Sequence, residues 1–263
     1  MINKTLLINT IQKEIRNKGV IFLFIFTILF ILVGHKAAVT IKMSLNESNM
    51  NTIISNSSQT VIIYFISFCA NFVAIILAST IFRSDISSRV LPQILSFPIS
   101  RLSYIVSRIT GAWLLSVAYF LFSLIFGMTI LMTSESIQID FLSIVGSFAF
   151  MSIELLGVIL LGAFISFYGN RLMSFIITIV VYILSKSYTQ KLFEYESFSL
   201  GKMVNLFMYY CTPRLGEMSY ISESYMAGKV FDISQIIMAV VHFTATTGVW
   251  LFIMKTLFDK REV

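Results

Sequence analysis

"FRSDISSRVLPQILSFPISR", residues 82–101, decides how this chain is read. It holds Arg83, Asp85, Arg89 and Arg101, and two of the chain's three prolines, Pro92 and Pro98. On both sides lie long apolar runs, one from Val61 and one from Tyr104. A charged side chain at mid-bilayer costs about 2.5–3.5 kcal/mol, so four would cost roughly 10 kcal/mol. The stretch is therefore a water-facing loop between two membrane spans, and the chain around it is a membrane protein.

Composition agrees. Of 263 residues, 57% are hydrophobic and only 12% charged, against about 25% charged in a soluble domain. A barrel would alternate apolar and polar residues in segments of about 10, whereas the apolar runs here are unbroken. Six reach or approach the roughly 20 residues needed to cross a bilayer: Val20–Val39, Thr60–Phe82, Tyr104–Met132, Phe141–Tyr168, Leu172–Tyr188 and Ile233–Phe258. The first and fifth are the shortest in apolar content. The first is not expected to be a cleaved signal, because its basic lead-in is long and no A-x-A-like site follows.

Charge sets the orientation. With the N-terminus inside and six crossings, the inner basic residues are Lys4, Lys13, Arg16, Lys18, Arg83, Arg89, Arg101, Arg108, Arg171, Lys255, Lys260 and Arg261. The outer ones are Lys36, Lys42, Lys186, Lys191, Lys202, Arg214 and Lys229. The excess lies inside, as the positive-inside rule requires. The expected fold is an all-α integral membrane protein of six transmembrane helices with both termini cytoplasmic. It forms one domain over residues 1–263. Residues 1–19 make an interfacial entry helix, 83–103 an inner loop, and 187–232 an extracytoplasmic segment of re-entrant or surface helices broken near Pro213. The Asn- and Ser-rich stretch from His35 to Gln59 reads as a polar outer loop holding at most a short helix. In the entry helix, Leu7, Ile11 and Ile15 recur every four residues while Lys4, Lys13, Arg16 and Lys18 lie elsewhere on the wheel. It reads as a helix lying on the inner membrane face or as a plain basic topogenic tail.

The dispersed basic residues form no dense face for nucleic acid. Cys69 and Cys211 read as unpaired thiols, and His35 and His242 build no metal motif. There is no G-x-x-x-x-G-K-[ST] phosphate loop, H-E-x-x-H or G-x-S-x-G. No catalytic residue, metal ligand or directly bound cofactor is assigned. Glu154 is the only acid well inside a span. It is a functional candidate by position, either as a substrate or proton contact in a central path or as a protonated or hydrogen-bonded structural acid. Gly157, Gly162 and Ser166 would let another helix approach span four closely, a candidate dimer seam. Trp113 and Trp250 are read as packing residues.

Within the inner loop, Leu91, Ile94 and Leu95 form an apolar edge at helical spacing. Asp85 and Arg89 stand four apart with the acid first, the favourable order for a helix pair. Pro98 ends the helix, and Pro92 starts or kinks it. Such a helix between two spans fits a docking plug for a soluble partner.

These residues resemble the inner loop of ATP-binding-cassette (ABC) type-2 permeases, the type V exporters. There an acid precedes G-T-L-x-x-L-L-x-x-P-x-S-R, and a basic residue opens the next span. This chain reads Asp85, Arg89-Val90-Leu91, Ile94-Leu95, Pro98, Ser100-Arg101 and then Arg108, with Arg89 and Val90 where the family favours Gly and Thr. "IQKEIRNKG", residues 11–19, is similar to the family's entry helix. The resemblance implies the membrane subunit of an ATP-driven exporter in a prokaryotic plasma (inner) membrane. Two permeases, alike or different, would pair over two ABC ATPase subunits that carry the ATP and magnesium. The coupling helix would present Asp85, Arg89, Leu91, Ile94, Leu95 and Arg101, and the entry helix Lys13, Glu14 and Arg16. The substrate would be amphipathic or hydrophobic: a peptide, drug or lipid. Other readings are a non-transporting assembly, immunity or metalloenzyme-maturation subunit of the same fold, and an intramembrane enzyme using Glu154.

Overall fold

The computed structural model describes residues 2–16, 18–45, 48–134, 141–191, 200–226 and 233–260, some within helices by backbone alone. Among the described residues the chain is built from helices and turns: α1 Lys4–Arg16, α2 Gly19–Leu45, α3 Ser48–Thr80, α4 Arg83–Ser87, α5 Leu91–Leu95, α6 Arg101–Ser134, α7 Phe141–Ser166, α8 Arg171–Lys191, α9 Leu200–Cys211, α10 Leu215–Met226 and α11 Ile233–Asp259. Five stretches are long and apolar enough to cross a membrane: Gly19–Lys36, Tyr64–Ser87, Arg101–Ile130, Ser143–Ser166 and Ile233–Asp259. The fifth expected span, α8, is not among them. It opens on Arg171 and closes on the polar run Ser185-Lys186-Ser187-Tyr188-Thr189-Gln190-Lys191. The stretch after His35 is helical on both sides of residues 46–47, not a loop.

α3 and α7 form the centre and pack on each other. α6 covers one side, and α8 with α10 covers the other. α2 and α11 lie outermost, with Phe22, Phe26, Val33, Met238, Val241 and Phe252 exposed along them. Apolar side chains facing outward all along a helix suit lipid as the solvent.

Small residues set the close contacts inside the chain. A Cβ on Gly162 would run into Ala78 of α3 and Thr178 of α8, and one on Gly157 would meet Leu215 of α10 and Phe243 of α11. The glycines of α7 are thus filled by this chain's own helices, and the expected dimer seam is not there. The break near Pro213 is present, but α10 is no surface helix: Leu215, Met218, Ile221 and Ser222 are buried against the bundle. Trp113 and Trp250 pack as expected, donating to the carbonyls of Ser152 and Cys211.

The helix ends follow local chemistry. Asn3 caps α1, its side-chain oxygen accepting from the backbone N–H of Thr5 and Leu6, and Ser100 does the same for α6 through Ser103, both by N-cap geometry. Two helix junctions rest on basic residues with left-handed backbones, Lys18 at φ 57° between α1 and α2 and Arg89 at φ 56° between α4 and α5. Arg89 splits the inner loop into α4 and α5, where one helix was expected. Pro92 sits in the first turn of α5, where its missing N–H costs nothing.

A left-handed residue other than glycine carries about 1–2 kcal/mol of strain, partly offset by the greater unfolded-state freedom of glycine. Arg89→Gly, the residue the type-2 permease motif has here, is expected to raise stability by up to about 1 kcal/mol. Thermal unfolding of the purified protein checks this, with Arg89→Ala showing no gain.

Candidate functional site

The inner loop is held by a box of four aromatic rings from four parts of the chain. Phe82 follows α3, Tyr104 opens α6, Phe167 follows α7 and Phe258 ends α11. Ring centroids lie 5.2–6.0 Å apart around the box, within the spacing that favours tilted and edge-on aromatic pairs. This gathers at one end of the bundle the same segments whose charges were counted as inner.

Asp85 sits above the box and is buried, at 2% exposure. Its Oδ1 accepts from Lys13 Nζ at 2.9 Å and its Oδ2 from the Tyr104 hydroxyl at 2.7 Å. Arg108 Nη2 forms an ion pair with the same Oδ2. Lys13 also donates to Ser84 Oγ. Arg108 reaches on to Thr10 Oγ1 at 2.9 Å, and Thr80 donates to Glu14 Oε1 at 3.2 Å. The backbone N–H of Asn3 donates to Ser107 Oγ at 2.8 Å. One carboxylate thus binds α1, α4 and α6 together through two cations and a hydroxyl. These charge-assisted bonds are the stronger kind, and burial keeps salt from screening them.

Several site expectations change. Asp85 does not form the helix pair with Arg89. Its partners are 72 residues upstream and 23 residues downstream, and Arg89 points outward beyond the end of α4. Leu91, expected on the docking edge, is 4% exposed and anchors α5 into the bundle, and Ile94 is half-buried against the core. The side chain of Leu95 lies outside the described residues. Arg101 turns back to cap α11, donating to the carbonyls of Phe258 and Asp259, where a cation suits the C-terminal dipole. Of the entry-helix trio, Lys13 and Glu14 belong to the inner cluster and only Arg16 is exposed. The outward face of the loop is Arg89, Val90, Gln93 and Phe97, with Phe97 63% exposed. Sequence reading missed Phe97, although a phenylalanine beside a proline in a water-facing loop was a signal. It also missed Tyr104 as a partner of Asp85.

Glu154 is 0% exposed and lies between α3, α7 and α8. It accepts from Asn71 and Tyr182. Among the described residues no group of three or more His, Cys, Asp and Glu is placed to hold a metal.

A family model described as "ABC-2 family transporter protein" matches residues 6–189, more than half of the chain. No curated protein matches the sequence.

Removing one partner from a buried ion pair leaves the other charge uncompensated, at about 3–5 kcal/mol. Asp85→Asn is expected to lose that much, because it strands Arg108. Lys13→Met, at a side chain 33% exposed, should lose about 1 kcal/mol or less. Chemical denaturation of the two variants in the same detergent reads the difference directly.

Proposed function

The chain belongs to the ABC-2 transporter family, a multi-pass transmembrane transporter subunit, and on that premise we propose that it is the permease half of an ATP-driven exporter whose ATPase is a separate chain. The single observation that carries this reading is the anchored inner loop. Its inward side chains, Asp85 and Leu91, lock it to the bundle, while Arg89, Val90, Gln93 and Phe97 stand free on its outer side. A loop rigidly tied to α1 and α6 and exposing an aromatic side chain is suited to receive a push. An aromatic anchor in a partner's pocket is also the usual centre of a docking contact.

In this reading the coupling surface is Arg89, Val90, Gln93 and Phe97, with Arg16 of the entry helix beside it. Asp85, Lys13, Arg108 and Arg101 transmit the motion to α1, α6 and α11. ATP and magnesium act on the ATPase. The chain crosses six times with both termini cytoplasmic, α8 serving as the fifth span. Support comes from the gathering of α1, the 83–108 segment, Asn170 and the end of α11 at one pole: Arg83 bonds Asn170, and Arg101 bonds the end of α11. The turn between α9 and α10 dips to the level of Trp250 and Ser185, which fits a re-entrant hairpin from the outer side. The permease pairs with a second permease over two ATPase subunits. Its substrate is amphipathic or hydrophobic, and the membrane is the plasma membrane of a prokaryote.

The test is co-purification from native membranes. An ATP-hydrolysing subunit is expected to accompany the tagged wild-type chain. Arg89→Glu with Phe97→Ala should cut its recovery at least tenfold while the permease remains folded by thermal unfolding. Recovery unchanged by that pair, or no ATPase in several mild detergents, overturns the coupling assignment.

A further inference from the structure

Glu154 and Asn71 face each other across α7 and α3 at the centre of the bundle. One amide hydrogen of Asn71 goes to the Ser67 carbonyl and the other to Glu154 Oε1, each at 3.1 Å. Tyr182 of α8 also donates to Oε1, at 3.4 Å. Two acceptors are left over, Glu154 Oε2 and Asn71 Oδ1. Both are buried and have no hydrogen-bond partner. Buried polar groups are almost always bonded, so two orphans on side chains already joined by one hydrogen bond call for a shared explanation. A carboxylic acid and a primary amide pair through two parallel limbs, N–H to one oxygen and O–H to the other. Here the first limb is in place, and the two atoms of the second are the two orphans.

We propose that Glu154 binds a proton on Oε2 and donates it to Asn71 Oδ1, so that a two-limbed acid–amide pair joins α7 to α3 and proton loss opens it. A protonated carboxyl is a donor where the carboxylate is acceptor only, so one proton satisfies both orphans. A metal ion fits less well, since magnesium or calcium takes six or more oxygens and two are free here. The groups that face the site are few. α8 presents Tyr182 and Lys186, and α10 presents Glu223. Lys186 is paired with Glu223 at 3.5 Å, so its charge is already answered. Glu217 of α10 is held by Arg214. α6 keeps Arg108 on Asp85 and Arg101 at the end of α11, and His242 of α11 packs on Tyr209. The Lys186–Glu223 pair is the nearest charged pair to the site, and its Lys186 side chain is 39% exposed. α3 leads directly into α4, so opening the pair frees the helix that ends at the Asp85 anchor. The site stands apart from the ATPase reading and does not require it.

Infrared difference spectroscopy of the purified permease at neutral pH tests this, using wild type, Glu154→Gln and Asn71→Leu. A protonated carboxyl band is expected in the wild type. It should vanish in Glu154→Gln and shift toward an unbonded acid in Asn71→Leu. Glutamine supplies the donor that the proposal places on Oε2, so Glu154→Gln should fold and unfold at the wild-type temperature. Losing the proton removes the second limb, so wild-type stability carries a pH-dependent component from this site. Glu154→Gln should lack that component. A spectrum unchanged by Glu154→Gln, a glutamine variant that fails to fold, or one whose pH response matches wild type overturns the proposal.

Discussion

The buried carboxylate of Asp85 is the point on which the inner end of this molecule depends. A lone charge there would be too costly to keep, and its two cations and one hydroxyl make it tenable. Those partners come from α1 and α6, with the buried Arg108 of α6 offsetting most of the cost of burying the charge and the part-exposed Lys13 of α1 adding less. The loop therefore has no independent position. It moves with α1 and α6 or not at all, and the aromatic box beneath it extends that constraint to the ends of α7 and α11.

α1 illustrates how this inverts the usual pattern. Its apolar row, Leu7, Ile11 and Ile15, does not define the face packed on the bundle. That face is Leu6, Thr10 and Glu14, which are buried, with Lys13 beside them on Asp85. Gly111 of α6 is what admits it, since a Cβ there would stand 2.9 Å from the Thr10 Cβ. The polar side bonds inward, leaving Ile8 and Ile15 exposed to the surface on which an interfacial helix rests.

Much of the fold was legible because apolar run length and punctuation are local signals. The long runs became helices, the charged stretch at 83–101 became a loop, and Pro213 broke the outer segment. What escaped was non-local. Asp85 had a plausible partner four residues away, but the left-handed turn at Arg89 removed it, and the true partners are distant in sequence. Leu91 and Ile94 form an apolar edge in any helix of that spacing, and spacing alone does not say whether the edge faces the bundle or a partner. Glu154 was conspicuous as the only acid well inside a span. Asn71, which completes its chemistry, looked like an ordinary polar interruption in "CANFVAIIL".

The seat of α10 carries a consequence for the order in which the protein is made. α10 fills a groove in α7 opened by Gly146 and Gly157, against which Tyr225 and Leu215 rest, and Ser222 bonds Ser147 across the same seam. Ribosomes deliver α7 and α8 well before α10. During that interval the groove has lost its filler, and its serines face lipid or the translocation machinery. The bundle is finished by the late docking of α10, after the helices that receive it have been made. Synthesis past Met226 therefore supplies the helix that fills this groove.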